Sequence, residues 1–343
     1  MNRNMLVRAA SALLTVGLVV GAFAQNAAAQ ECAVTLKFGS LAPQGSLWLK
    51  GFTNAAREIK ERTAAESEGA VCFKIYGGGV MGDESAMVRK MRTGQLDVAA
   101  VTNVGLGDIN KELLVLQMPL LFKNDKELDY VREKMHGRLT GLLESKGFQW
   151  LGWGDVGFAY LFSNEPIAKA SDIKTTKFWV WDADEVTKEV AKVAGVNAIP
   201  LGVPDVLPSL STGVVNSFLN SPYGAIALQW HTKAKYVTDL KLAVTIGGTV
   251  MSDKAWNKLT DKQKAIVREV SAKHHKELLV KIRKANNSSK KKLVTKHGYT
   301  PVTVENFAEW DQVAKTARKN LTGKLFPADL VKEVEKHLAD YRK

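Results

Sequence analysis

Between residues 34 and 101 the chain alternates short apolar runs with helix-period segments, and this alternation constrains its fold more than any other feature. Residues 34–38 read as a strand. Residues 47–62 follow with Trp48, Phe52 and Ile59 at helical spacing, and residues 71–76 are extended again. Residues 84–93 then set Met87, Val88 and Met91 on one helical side, with Gly94 at the left-handed capping position. The run 96–101 is mostly apolar, as in a strand covered on both faces. Strands separated by helices predict a parallel α/β sheet with loops for ligand at its strand ends.

The N-terminal segment is of another kind. Arg3 and Arg8 precede an apolar run over residues 9–24, and Ala27, Ala28 and Ala29 supply the small residues that a signal peptidase needs. Residues 1–29 are therefore expected to be a signal peptide cleaved near Ala29, which makes the mature protein periplasmic. The run is too short to span a bilayer comfortably, and no later uncharged stretch approaches the roughly 20 residues a spanning helix needs. Cys32 and Cys72 are the only cysteines and stand at or just before the starts of two predicted strands. If those strands are parallel neighbours, an oxidising compartment allows a disulfide between them; the sequence leaves that pairing open.

Removing Arg3 and Arg8 leaves 46 basic against 35 acidic side chains, a net charge of +11. Lysines concentrate in C-terminal amphipathic segments such as residues 273–292, where a solvated helix face accounts for them. No compact basic-aromatic module is present, so nucleic acid is not an expected partner.

Enzyme chemistry finds little support. None of His136, His231, His274, His275, His297 and His337 forms the i, i+4 pair of a helical zinc site, and most are expected at the surface. There is no nucleophile elbow and no phosphate loop. Gly77, Gly79 and Gly82 do satisfy G-x-G-x-x-G between a strand and a helix, which keeps an exported NAD-dependent oxidoreductase as an alternative. Against it, Asp97 lies at the wrong strand end for a ribose, and Asp83 would repel a pyrophosphate at the helix N-terminus. The preferred reading is a turn rich in positive-φ positions, with no catalysis, no cofactor and no metal.

A second unit begins near Trp150, with extended stretches at 158–162 and 177–181, a helix at 183–193, a strand at 198–200 and a helix at 207–212. Thr260 and Gln263 have capping-box spacing, and Ile266, Val270, Leu278 and Ile282 mark the stripe of a long helix. Helices at 304–322 and 328–341 complete the chain.

Several pieces in this order resemble the DctP-type solute receptors of TRAP (tripartite ATP-independent periplasmic) transporters. They are Gly94-Gln95-Leu96-Asp97-Val98-Ala99, Met118-Pro119-Leu120-Leu121-Phe122, Pro166-Ile167 with Asp172-Ile173-Lys174, Gly213-Val214-Val215-Asn216, and Lys235-Tyr236-Val237-Thr238. The resemblance implies a two-lobed α/β periplasmic binding protein fold, type II-like, with crossing hinge strands and a long inter-lobe helix. On this basis residues 30–156 plus 246–286 are assigned to lobe I, and 157–245 plus 287–343 to lobe II. It further implies a receptor, expected as a monomer, that closes on a small-molecule solute and delivers it to TRAP-type membrane permease subunits.

Family receptors of this kind usually hold a small carboxylate with an Arg in the segment after Asp-Leu-Lys-Gly, a position that here reads Trp179. A second Arg, usual in the first crossing strand, is matched by Ala159. Neither uncharged side chain can replace a bidentate guanidinium, so the expected ligand is uncharged, aromatic or apolar, with the conventional organic acid as the alternative. Strand alternation turns Trp179 and Trp181 to the cleft and Phe178 and Val180 to the core. Phe218 adds apolar surface and Asn220 a directing amide, with Tyr223 and Trp153 as further candidates. Asp155, Asp182 and Asp184 near this wall also admit a cationic ligand, although turn and capping roles explain them.

Overall fold

The computed structural model describes residues 31–343, so the signal-peptide reading of residues 1–29 lies outside the described residues. In chain order the strands are β1 (Cys32–Ser40), β2 (Ala70–Tyr76), β3 (Val98–Thr102), β4 (Phe148–Trp153), β5 (Gly157–Ser163), β6 (Trp179–Trp181), β7 (Ile199–Leu201), β8 (Ser217–Asn220), β9 (Tyr236–Thr238), β10 (Ala243–Thr245), β11 (Gly247–Ser252) and β12 (Thr300–Val302). The first sheet runs β2-β1-β3-β11-β4. Its β1 is parallel to both β2 and β3, as strand–helix–strand alternation requires, while β11 enters antiparallel between β3 and β4. The second sheet runs β10-β5-β9-β12 with β8 also on β5, and β6 pairs with β7 beside it. Each sheet is covered by helices, giving two α/β lobes.

Cys32 and Cys72 are disulfide-bonded, their Cα atoms 5.7 Å apart across the β1–β2 pair. The bridge ties the start of the sheet around the intervening helix Leu47–Ala64 and narrows the unfolded ensemble.

Two strand connections cross between the sheets, from β4 to β5 and from β10 to β11. They are bonded to each other: Gly154 N donates to Gly247 O at 2.8 Å and Val156 N to Thr245 O at 3.0 Å. The third connection is the helix Asp261–His297, 37 residues and so about 55 Å long, opened by the Thr260–Gln263 capping box. It packs on Leu47–Ala64 in the first lobe and on Pro222–Ala227 in the second. At the crossing, Asn286 accepts from Tyr223 N and donates to Val156 O, both at 2.9 Å. Gly157, at φ +113°, leaves room there; a Cβ would lie 2.5 Å from the Asn286 amide.

The C-terminal helix Ala328–Arg342 is assigned on sequence to lobe II. It packs on Asp125–Lys134, an element of the first lobe, where Arg342 donates to both Glu127 oxygens at 2.9 Å and Tyr341 meets Tyr130 at 5.2 Å. Its apolar stripe of Leu330, Val331, Val334 and Leu338 only needed a facing groove, and docking across the lobe boundary supplies one.

His275 departs from the surface expectation for the histidines. It is buried on the long helix, donating from Nδ1 to Ser271 O and accepting at Nε2 from Thr249 Oγ1, both at 2.7 Å. Burial pushes its pKa down to about 4 from 6.5. Between those values the unfolded chain binds a proton that the native state refuses, so stability falls as pH drops through this window. The full effect is about 3 kcal/mol, and His275→Gln is expected to flatten the acid limb of a urea-unfolding series between pH 7 and pH 4.

Candidate ligand-binding site

A cavity of about 150 Å³ lies between the lobes at the carboxyl ends of β1 and β3. This is where a parallel sheet offers loop backbone and helix starts to a ligand. The first lobe contributes Ser40 at the end of β1 and Ala42 beyond it, Trp48 and Phe52 from Leu47–Ala64, and Glu84 and Thr102. The second contributes Ala159, Trp179, Trp181, Asn220 and Trp230.

The aromatic wall follows from the pleat of β6. Trp179 and Trp181 pack with one core cluster, while Phe178 and Val180 pack with another on the opposite side. Trp179 is buried; its Nε1 donates to Leu201 O at 3.1 Å and its ring meets Trp230 edge-on at 5.0 Å. Trp181 is half-buried, with its ring 6.3 Å from that of Trp179. Its Nε1 donates to Asp83 Oδ2 at 2.8 Å and so joins the second lobe to the first.

Acidic and amide groups supply the polarity. Glu84 is fully buried and accepts from Thr102 N at 2.8 Å, Gly105 N at 2.8 Å and Thr102 Oγ1 at 3.0 Å; burial nevertheless pushes its pKa up to about 8. Asp184 caps the helix Glu185–Val193 through Thr187 N and also accepts from Asn103 Nδ2 at 3.2 Å and Gln117 Nε2 at 2.9 Å. Asn220, which lines the cavity, accepts from Ser221 N through Oδ1 at 2.8 Å, which fixes the amide. Among the described residues, no Lys, Arg or His lines this cavity.

Of the residues singled out in the sequence, Trp179, Trp181, Ala159 and Asn220 are brought together here; Phe218, Tyr223 and Trp153 are placed outside the lining. Phe218 is fully buried, stacked on Phe162 at 5.0 Å and covered by Trp230 at 5.4 Å. Tyr223 packs on Trp48, and its hydroxyl accepts from Leu47 N at 2.8 Å. Trp153 lies under the Arg132 guanidinium at 4.7 Å. Asp155 is bound by Arg132, and Asp182 faces Lys188 on the surface, so of the three aspartates only Asp184 reaches the cavity.

Sequence reasoning missed Trp48, Phe52, Glu84, Asn103, Gln117 and Trp230. The first two carried a visible signal as the apolar face of a helix following a strand end. The glycine segment after β2 has positive φ at Gly78, Gly79 and Gly82, and the helix start beyond it is closed by Asp83 and its bond to Trp181.

The fold and the cleft define a two-lobed solute receptor. Residues 38–324 match the family described as bacterial extracellular solute-binding protein, family 7 (DctP), and the chain belongs to that family. A solute-binding protein of Chromohalobacter salexigens is 25% identical over 71% of this chain and 72% of its own length. Among solved structures, a TRAP periplasmic solute-binding protein of Chromohalobacter salexigens with bound D-glucuronate has a TM-score of 0.81 at 20% identity, covering 88% of this chain and 99% of that one. An extracytoplasmic solute receptor of Bordetella pertussis binding pyroglutamic acid also gives 0.81, at 18% identity over 89% and 99%.

Proposed function

We propose that this receptor, exported by removal of residues 1–29, captures an uncharged, aromatic or apolar solute and delivers it to a TRAP-type permease. One observation carries the ligand class: among the described residues, the cavity lining contains two buried carboxyl side chains, Glu84 and Asp184, and no cation. A carboxylate moved from water into such a site would lose its hydration without a guanidinium or ammonium to replace it. In this reading Trp179, Trp181 and Ala159 shape the contact surface and Asn220 orients the solute, while the half-buried Trp181 bond to Asp83 holds the lobes together around it.

The second reading is the conventional organic-acid receptor. It is favoured by the comparisons, since the receptors of like fold are described with D-glucuronate and with pyroglutamic acid. It requires a cation brought in from outside the present lining. Tryptophan-fluorescence titration, checked by calorimetry, separates the two with benzamide and phenol on one side and D-glucuronate and pyroglutamate on the other. The first reading expects saturable binding of a neutral aromatic and none of the acids. Micromolar binding of either acid would overturn it in favour of the second.

A further inference from the structure

A second, smaller cavity of about 60 Å³ lies behind the aromatic wall, under the helices Glu185–Val193 and Phe307–Leu321. Its walls are apolar, formed by Phe178, Val190, Ala191, Trp310 and Ala314 among others. It abuts the ligand cavity, for Gln117, Thr187, Leu219 and Ala243 line both.

Gln117 stands at this junction and is only 5% exposed. Its Nε2 is committed to Asp184 Oδ2 at 2.9 Å, which fixes which way the amide points. Its Oε1 is buried with no hydrogen-bond partner among the described residues. Buried amide oxygens in native proteins nearly always accept a bond, because leaving one unmade forfeits its hydration for nothing. An orphan acceptor between a polar-edged cavity and an apolar one is the arrangement expected where an incoming molecule supplies the donor and continues past it.

We infer that the small cavity is the inner arm of the solute site and that Gln117 Oε1 accepts a hydrogen bond from the solute where it passes from one cavity to the other. The ligand class is then an uncharged amphiphile: a ring against Trp179 and Trp181, an N–H or O–H group at Gln117, and a short apolar arm beyond. The sizes agree with this, since an apolar cavity of about 150 Å³ accommodates a benzene ring. Less than half that volume suits an arm of about three carbons. The inference rests on the uncharged-solute reading given above.

The probes are benzamide and its N-ethyl, N-propyl and N-butyl derivatives, whose amide N–H lies between ring and arm. Binding is measured by tryptophan fluorescence and calorimetry on the full mature chain. Affinity is expected to rise about fourfold per added methylene until the inner cavity is full. Filling that cavity from either wall, by Ala191→Leu or Ala314→Val, is expected to abolish the increment while leaving benzamide itself within twofold. If benzamide binds and the longer amides bind equally or more weakly in the wild type, the inner-arm inference is overturned and the uncharged-solute reading stands. If no member of the series binds while D-glucuronate or pyroglutamate does, both fall together.

Discussion

Arg132→Leu is expected to lower the unfolding free energy by about 3–5 kcal/mol, measured by urea denaturation of the mature protein at neutral pH. Arg132 is 4% exposed and donates from Nη1 to both oxygens of Asp155 at 2.8 Å. Asp155 lies in the connection from β4 to β5, where its Oδ1 also accepts from Gly247 N at 3.3 Å and its backbone oxygen from Trp48 Nε1 at 3.2 Å. Burial pushes the Asp155 carboxyl up, and the charge of Arg132 works against that push. Removing the guanidinium would strand a buried carboxyl at the point where both strand crossings meet. The same residue extends to Asp129, which Arg283 of the long helix grips at 2.6 and 2.7 Å, so all three inter-lobe connections join one network.

The partner substitution distinguishes a stranded charge from lost packing. Arg132→Leu with Asp155→Leu is expected to recover most of the loss, because an apolar pair of similar volume leaves nothing uncompensated. A single Arg132→Leu variant within about 1 kcal/mol of wild type would contradict the role given to the network.

The α/β alternation was readable in the sequence because it is a local periodicity: a helix such as Leu47–Ala64 buries Trp48, Phe52 and Ile59 wherever it docks. The facing of Trp179 and Trp181 was readable for the same reason, since a period of two holds over even three residues of strand. Position along a face is a different matter. Phe218 and Asn220 share a side of β8, yet whether Phe218 meets the cavity depends on Trp230 covering it. Trp230 belongs to a four-residue 3₁₀ turn after Gln229 at φ +62°, a context with no periodic signal. Glu84 and Gln117 escaped notice because their sequence setting is that of helix ends, where acids and amides are ordinary, and the same setting gave Asp184 a capping role as well as a place near the wall. What distinguishes them is tertiary: Glu84 is buried under bonds from Thr102 and Gly105, and Gln117 and Asp184 are bonded to each other across 67 residues of sequence. The docking of Ala328–Arg342 on the first lobe was hidden likewise, for an amphipathic stripe specifies a groove and not its owner.

Trp181→Ala is expected to weaken capture of a neutral aromatic solute by at least about 100-fold, the scale of a buried aromatic anchor. The urea midpoint should change little, because the ring is only half-buried in the protein itself. Two losses combine in this variant. One is contact area on the wall with Trp179; the other is the 2.8 Å bond from Nε1 to Asp83 Oδ2 across the cleft. Asp83 Oδ1 is already buried with no partner among the described residues, and burial pushes that carboxyl's pKa up. Taking away the indole N–H would remove the side-chain donor that Asp83 Oδ2 has across the cleft, so the closed form loses stability as well as surface. Trp181→Phe separates the contributions: it keeps a ring on the wall, removes the donor, and is expected to lose about tenfold, with small-angle scattering reporting less compaction on saturation. A receptor that gripped an acid through a cation outside this lining would behave otherwise, with both variants binding D-glucuronate within tenfold of the wild type. The ratio of the two losses therefore reads out which chemistry closes the lobes, whichever solute copurifies with the native protein.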